Sequence, residues 1–364
     1  MMKIFFLSLV FASSLFAKTV TPEVLQKVDA AVKDFAQRQK GGGVAVAVIY
    51  GEGLDGYQQK NFMYGHAKGP QSAPPKDDNV FYLGSVTKVL TATLLAKFVA
   101  EGKVKLDDPA QKYVPKGVHV PTYDGKQMTL RDLATHTSAL PNEAGGVTHP
   151  YHYTREEFYH WLSNYKLKYA PGTKSVYSNV GYGFLGLILA TVANTTYEEL
   201  VIREVCDPLG MDDTRTFDTF SESQKERLCD FYGPNGKPVK AGCCIALPAL
   251  GGGGVFASTL HDMSLFLAFN MGLSNKMNDL LPILQNSSFG LGGNNNYIGL
   301  GWYNIPLSRG SQLRMFDKDG EMPGVSTYVC FVRETKTGVV VLTNSSSQSA
   351  PDLGNQVLRI LNGE

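Results

Sequence analysis

The 364-residue chain has almost no net charge, with 34 Lys and Arg against 33 Asp and Glu. A nucleic-acid binder needs a basic field to neutralise phosphates, so that class is excluded. Cysteine is scarce and odd in number: Cys206, Cys229, Cys243, Cys244 and Cys330. Their spacings match no zinc site, and five thiols are too few for a disulfide-dense scaffold. In an oxidising compartment Cys229 would pair with Cys243 or Cys244, while Cys330 alternates within an apolar strand pattern and reads as a small buried hydrophobe. His149, His152 and His160 cluster but lack the helical His-Glu-x-x-His spacing, so no metal is expected. The 38 Gly and 18 Pro follow no period and no segment repeats, which excludes collagen-like and solenoid architectures. Beyond the N-terminus no run is apolar enough to span a bilayer.

What is present begins with an address. Lys3 precedes the apolar run Ile4 to Phe11, then the small residues Ala12, Ser13 and Ser14, with Ala17 before a candidate cut. Residues 1–17 therefore read as a secretory signal, with an uncleaved anchor as the alternative, and the mature protein is expected in the periplasm without a stable membrane span. No Cys lies near the cut, which argues against a lipoprotein. Thr21-Pro22-Glu23 opens an amphipathic helix with Val24, Leu25, Val28, Ala31, Val32 and Phe35 on one face. Strands are expected at Val44–Tyr50, just after Gly56, at Val325–Val332 and at Val339–Thr343, with a closing helix at Leu353–Leu361. Between these ends the pattern is helical: Ser85–Glu101, Leu130–Thr135, Thr154–Trp161, Val180–Ala193 and Tyr197–Val205. Strands at both ends and helices between them predict an α+β fold, an antiparallel sheet flanked by helices with a helical domain inserted. The sheet domain would comprise residues 18–84 and 255–364, the mostly helical domain 85–254, and the active site would lie at their junction.

Three segments carry chemistry. Ser85 and Lys88 stand three residues apart at the start of an apolar helix, so their side chains share a face. A serine hydroxyl becomes a competent nucleophile when a neighbour takes its proton, and a lysine in a dry site is neutral enough to do so. The helix N-terminus also offers backbone N–H groups to a developing oxyanion. Ser85 could equally be no more than a helix cap. Second, Tyr177-Ser178-Asn179 follows a Pro-Gly turn and precedes an apolar helix; a Tyr there relays protons and an Asn binds an amide carbonyl, although Asn179 as an N-cap beside a packing Tyr177 explains the same letters. Third, Asp317-Lys318-Asp319-Gly320 precedes a strand, where a lysine at the sheet edge could hold a carboxylate and the edge backbone could pair with an extended peptide. An ordinary charged turn is the alternative there.

Ser-x-x-Lys, Tyr-x-Asn and a late Lys-x-Gly, in that order, resemble the serine penicillin-recognising enzymes, the beta-lactamases and DD-peptidases. Tyr177-Ser178-Asn179 and the chain length point to the class C branch. Leu106-Asp107-Asp108-Pro109, Thr129 to Pro141, Pro208-Leu209-Gly210-Met211 and Gly252 to Thr259 are similar in register. The stretch Val120 to Gly125, with Ala134 to Pro141, is especially similar to AmpH-type D-alanyl-D-alanine carboxypeptidase/endopeptidases. The resemblance implies a beta-lactamase/transpeptidase-like fold and a cofactor-free serine hydrolase acting on peptidoglycan peptides or beta-lactams. It implies Ser85 as the acylated nucleophile, Lys88 as its proton partner and Tyr177 as general base and acid. Asn179 would orient substrate and Lys88, Lys318 would anchor a carboxylate, and Gly320 with Glu321 would complete the substrate edge. The oxyanion hole would be the backbone N–H groups of Ser85 and Glu321.

A literal Lys-Thr-Gly stands at Lys336-Thr337-Gly338, but the family's layout puts the motif before a Gly-x-x-x-Tyr-Val-x-Phe strand. Gly324 to Phe331 supplies that strand, so Lys318 is the motif's lysine and Lys336 belongs to a later turn. Asp319 departs from the family's Thr or Ser. Together with Asp317 and Glu321 it should weaken the grip on an anionic ligand. The readings that remain open are a DD-peptidase, a class C beta-lactamase, an esterase of the same fold, and a penicillin- or peptidoglycan-binding module that does not turn over.

Overall fold

The computed structural model describes residues 19–51, 56–145, 154–240, 249–286, 289–292 and 295–364. The expected signal, His149, His152, Cys243 and Cys244 lie outside the described residues. Eight antiparallel strands form the main sheet, in the spatial order Gln58–Gly65, Gly43–Tyr50, Thr337–Thr343, Val325–Val332, Arg314–Met322, Tyr303–Pro306, Tyr297–Ile298, Phe289–Gly290. The two ends of the chain meet in its centre, where Val46 pairs with Val341 and Tyr328 with Val341 from the other side.

The central strands are apolar at nearly every position because both faces are covered. Val44, Val46, Val48, Val339, Val341, Tyr328 and Cys330 pack on one side with the terminal helices Pro22–Arg38 and Ala350–Asn362. Ala45, Ala47, Ile49, Val329, Phe331, Val340 and Leu342 point the other way, into a core shared with the helices Thr87–Ala100, Asn179–Ala193 and Leu260–Asn270. Each fully buried Val, Ile, Leu or Phe among them contributes roughly 1.5–3 kcal/mol, and the alanines less. The first helix starts as its sequence predicts. Pro22 occupies its first turn, Thr21 accepts from the Val24 N–H at 3.4 Å, and Val28, Ala31, Val32 and Phe35 are the buried face.

Some details differ from expectation. The segment expected as one helix from Ser85 starts as a 3₁₀ turn, Gly84–Val86, and becomes α-helical only over Thr87–Ala100. That helix has no single apolar stripe, being buried on almost all sides, Lys88 included. The helix expected over Tyr197–Val205 is α-helical only at Tyr197–Val201 and continues as a π-turn to Cys206. Lys318 is not in a turn but within the strand Arg314–Met322, paired inward with Val329. On the outer side, pairing with Tyr303–Pro306 ends at Asp317, so beyond that point no neighbouring strand pairs with this edge among the described residues. Cys229 is buried with a free thiol, and its expected partners Cys243 and Cys244 lie outside the described residues. Among the described residues no single helix is long and apolar enough to cross a membrane.

Candidate active site

Ser85 sits where a short strand, Phe81–Tyr82, runs into the 3₁₀ turn. That turn is pressed against the strand carrying Lys318. Thr327 donates to the Leu83 carbonyl at 2.9 Å and lies 3.1 Å from the Gly320 carbonyl. A Cβ at position 320 would collide with the Leu83 carbonyl oxygen and the Thr327 hydroxyl, so only glycine permits this approach. Gly84, at φ +52°, lies with its backbone against Gly320 and Glu321. Ser85 and Glu321, the two expected oxyanion donors, therefore come from touching backbones and line one cleft of about 210 Å³, with Asn142, Glu143, Asn179, Gly253 and Met322.

Lys88 is wholly buried beneath Ser85. Its Nζ lies 3.0 Å from Ser85 Oγ, 2.7 Å from Asn179 Oδ1 and 2.5 Å from the Gly253 carbonyl oxygen. Two of these three partners are carbonyl oxygens, which only accept. They hold two N–H bonds of the amine and leave the third direction facing the serine. Burial, reinforced by the positive charge of Lys318, pushes the Lys88 amine well below the usual lysine range, with Asp319 opposing. A neutral amine then turns its lone pair toward the Ser85 O–H.

Tyr177 donates from its hydroxyl to Ser85 Oγ at 2.6 Å. Its ring lies on the imidazole of His136, centroids 4.4 Å apart, and the Nζ atoms of Lys88 and Lys318 lie 4.9 and 5.3 Å from its centroid. Burial raises its pKa far above the usual phenol value, partly countered by the Ser85 hydrogen bond, so it rests as a neutral donor. His136 Nδ1 accepts the Ser178 N–H at 3.1 Å. Burial and the two lysines push this imidazole well below its usual range, so it is neutral at pH 7. Ser178, not Asn179, caps the following helix, accepting from the Gly181 N–H at 2.8 Å. Asn179 is thereby free to reach Lys88.

Lys318 lies beside the same phenol, its Nζ 5.3 Å from the Tyr177 ring centroid. Its side chain is 1% exposed and its Nζ donates to both the Asp319 carbonyl and Asp319 Oδ1, each at 2.8 Å. Tyr303 flanks it, ring centroid 5.8 Å away. Lys336 is elsewhere, its Nζ donating to the Met271 carbonyl at 2.7 Å. The expected contribution of Asp317 to an acidic cleft is corrected. Its Oδ2 is 2.5 Å from the hydroxyl of Tyr328, which packs with the terminal helices on the opposite face of the sheet, and burial raises its pKa to about 6.

Sequence reasoning missed the Gly253 carbonyl, the His136 platform and the Lys318–Asp319 pair. The glycine run was the one signal for the first. Gly186 and Gly252 pack backbone to backbone, which brings Gly253 beside the helix Asn179–Ala193 and onto Lys88. His160, the one described member of the histidine cluster, is exposed, and no group of three metal-binding side chains exists among the described residues.

Comparison with known proteins agrees with this architecture. The D-alanyl-D-alanine-carboxypeptidase/endopeptidase AmpH of Escherichia coli K12 is 34% identical over 319 residues, covering 84% of this chain and 80% of its own. A beta-lactamase of Pseudomonas fluorescens is 27% identical, covering 90% and 95%. Among solved structures, a beta-lactamase/D-alanine carboxypeptidase from Yersinia pestis superposes with a TM-score of 0.79 at 26% identity, over 94% of this chain and all of its own. A family profile described as Beta-lactamase matches residues 28–361, and the chain belongs to the beta-lactamase family of serine hydrolases.

Proposed function

We propose that the protein is an exported DD-peptidase that cleaves D-Ala-D-Ala-type peptides of peptidoglycan through an acyl-serine, with weak turnover of beta-lactams. The observation that carries this reading is Ser85 Oγ held between a buried amine at 3.0 Å and a neutral phenol at 2.6 Å beside a cleft. The 34% identity to a carboxypeptidase/endopeptidase favours the peptide substrate. Residues 18–84 and 255–364 would supply the sheet wall and 85–254 the helical wall, with export resting on residues 1–17.

In this mechanism Lys88 takes the Ser85 proton as Oγ attacks the carbonyl carbon. The carbonyl oxygen becomes an oxyanion held by the N–H groups of Ser85 and Glu321. The C–N bond breaks as the leaving nitrogen takes the Tyr177 proton, and the proton held on Lys88 passes back to the phenolate. Water then attacks the acyl carbon, giving its proton to the Tyr177–Lys88 pair, and Ser85 leaves with a proton returned. The lowered amine of Lys88 and the raised phenol of Tyr177 support giving the first proton to Lys88, with Tyr177 keeping its expected part as acid and as partner base. A second reading, an esterase of the same fold, is favoured by the Lys318–Asp319 pair, since an ester without a carboxylate loses nothing to it.

The test is intact-mass spectrometry with penicillin, then chromatography of peptidoglycan fragments. Wild type should gain one penicillin mass and release D-Ala, and Ser85→Ala should do neither. An unmodified wild type, or an adduct that persists in Ser85→Ala, rejects the assignment.

A further inference from the structure

We propose that Asp319 is a built-in counter-ion that occupies Lys318 and weakens the hold of this end of the cleft on a substrate's free carboxylate, so that an otherwise identical neutral leaving group is turned over faster. The inference deepens the reading above and rests on Lys318 facing substrate.

The geometry is that of a cation already satisfied. Two N–H bonds of Lys318 end on the carbonyl and carboxylate of its own neighbour, and the rings of Tyr177 and Tyr303 cover it on two sides. The ammonium is almost fully enclosed, whereas the Asp319 side chain is 43% exposed. Burial, the largest single influence, would raise the Asp319 carboxyl, but the Lys318 charge and hydrogen bond together with a backbone hydrogen bond hold the group below the usual carboxylate range, so it stays ionised at pH 7. The outward-facing member of the pair is thus the anion. An incoming carboxylate must displace it, or bind beside it with like charges in contact. The exposed carboxylates of Glu321 and Glu143, which line the adjoining cleft, add to the same field. A hydroxyl at 319 would leave the ammonium available and would itself donate to the carboxylate, so one side chain sets the preference.

The experiment compares two depsipeptide substrates identical except that the leaving group ends in a free carboxylate or in its methyl ester, reading the ratio of their kcat/KM values. Wild type should prefer the methyl ester, which needs no variant. Asp319→Asn and Asp319→Thr should each shift the ratio toward the free acid by about tenfold, the scale of one charged hydrogen bond gained. Asp319→Glu, keeping the charge, should shift it by less, and adding Lys318→Met to Asp319→Asn should erase the gain. A wild-type preference for the free acid, or a ratio unmoved in both neutral variants, overturns the proposal. Turnover of both esters that survives Ser85→Ala would reject the catalytic reading instead, so the two failures are distinguishable.

Discussion

Lys88 and Lys318 are both lysines, both enclosed, and both within 5.5 Å of the same phenol ring, yet they are held by opposite means. Lys88 hydrogen-bonds only uncharged acceptors, and the charge of Asp319 acts on it without touching it, so burial prevails and lowers its pKa. Lys318 carries its own carboxylate, with Asp319 Oδ1 at 2.8 Å. Burial works hardest against a lysine's charge where no counter-ion touches it, so one residue type is set up as a proton acceptor in one wall and as half of an ion pair in the other.

The contrast breaks most visibly at Lys88. Lys88→Met should lower the acylation rate about 10³-fold, the range of a lost general base, measured by stopped-flow formation of the penicillin adduct. A loss under tenfold would move the base to another group. Tyr177→Phe should cost about 10²-fold in the same assay, with the greater loss on amides, whose nitrogen needs a proton to leave. Lys318→Ala should cost about tenfold or more on depsipeptides because it leaves Asp319 unpaired beside the nucleophile. Lys336→Ala should change turnover less than twofold and stability by about 1 kcal/mol, the value of its hydrogen bond to Met271. Equal effects of the two alanine changes would undo the choice between the Lys-x-Gly segments.

The smallest effect is on stability. Lys88 has a lower pKa folded than unfolded, so the unfolded chain binds more protons between that lowered value and about 10.5. Stability therefore rises with pH across that window, and the cost of the buried amine is greatest below it. Thermal unfolding of Lys88→Met from pH 7 to 10 should show a shallower rise, by at most about 1.4 kcal/mol per pH unit. Parallel curves would mean that Lys88 stays charged when folded.

What could be read in the sequence was local or periodic. Ser85 and Lys88 share a helix start, Tyr177 follows a Pro-Gly turn, and the strand after Gly324 identified Lys318 against a better literal match at Lys336. The alternating contacts of Val44 to Ile49 were concealed because a strand buried on both faces shows no polar alternation. The groups that tune the site were less legible still. Gly253 reaches Lys88 across 165 residues, and His136 supports Tyr177 across a gap no local pattern spans. Asp319 was visible as added acidity, but acidity alone did not reveal that its carboxylate would turn back onto the preceding lysine.

Positions 319 and 320 are neighbours with unlike freedom to vary. The Leu83 carbonyl stands where any side chain at 320 would have to go, so that site is closed to exchange. Residue 319 points outward and bears no part of that seam. Selection for a new diet can therefore act on a single codon next to the nucleophile while the joint that holds the catalytic turn to the sheet is inherited unchanged.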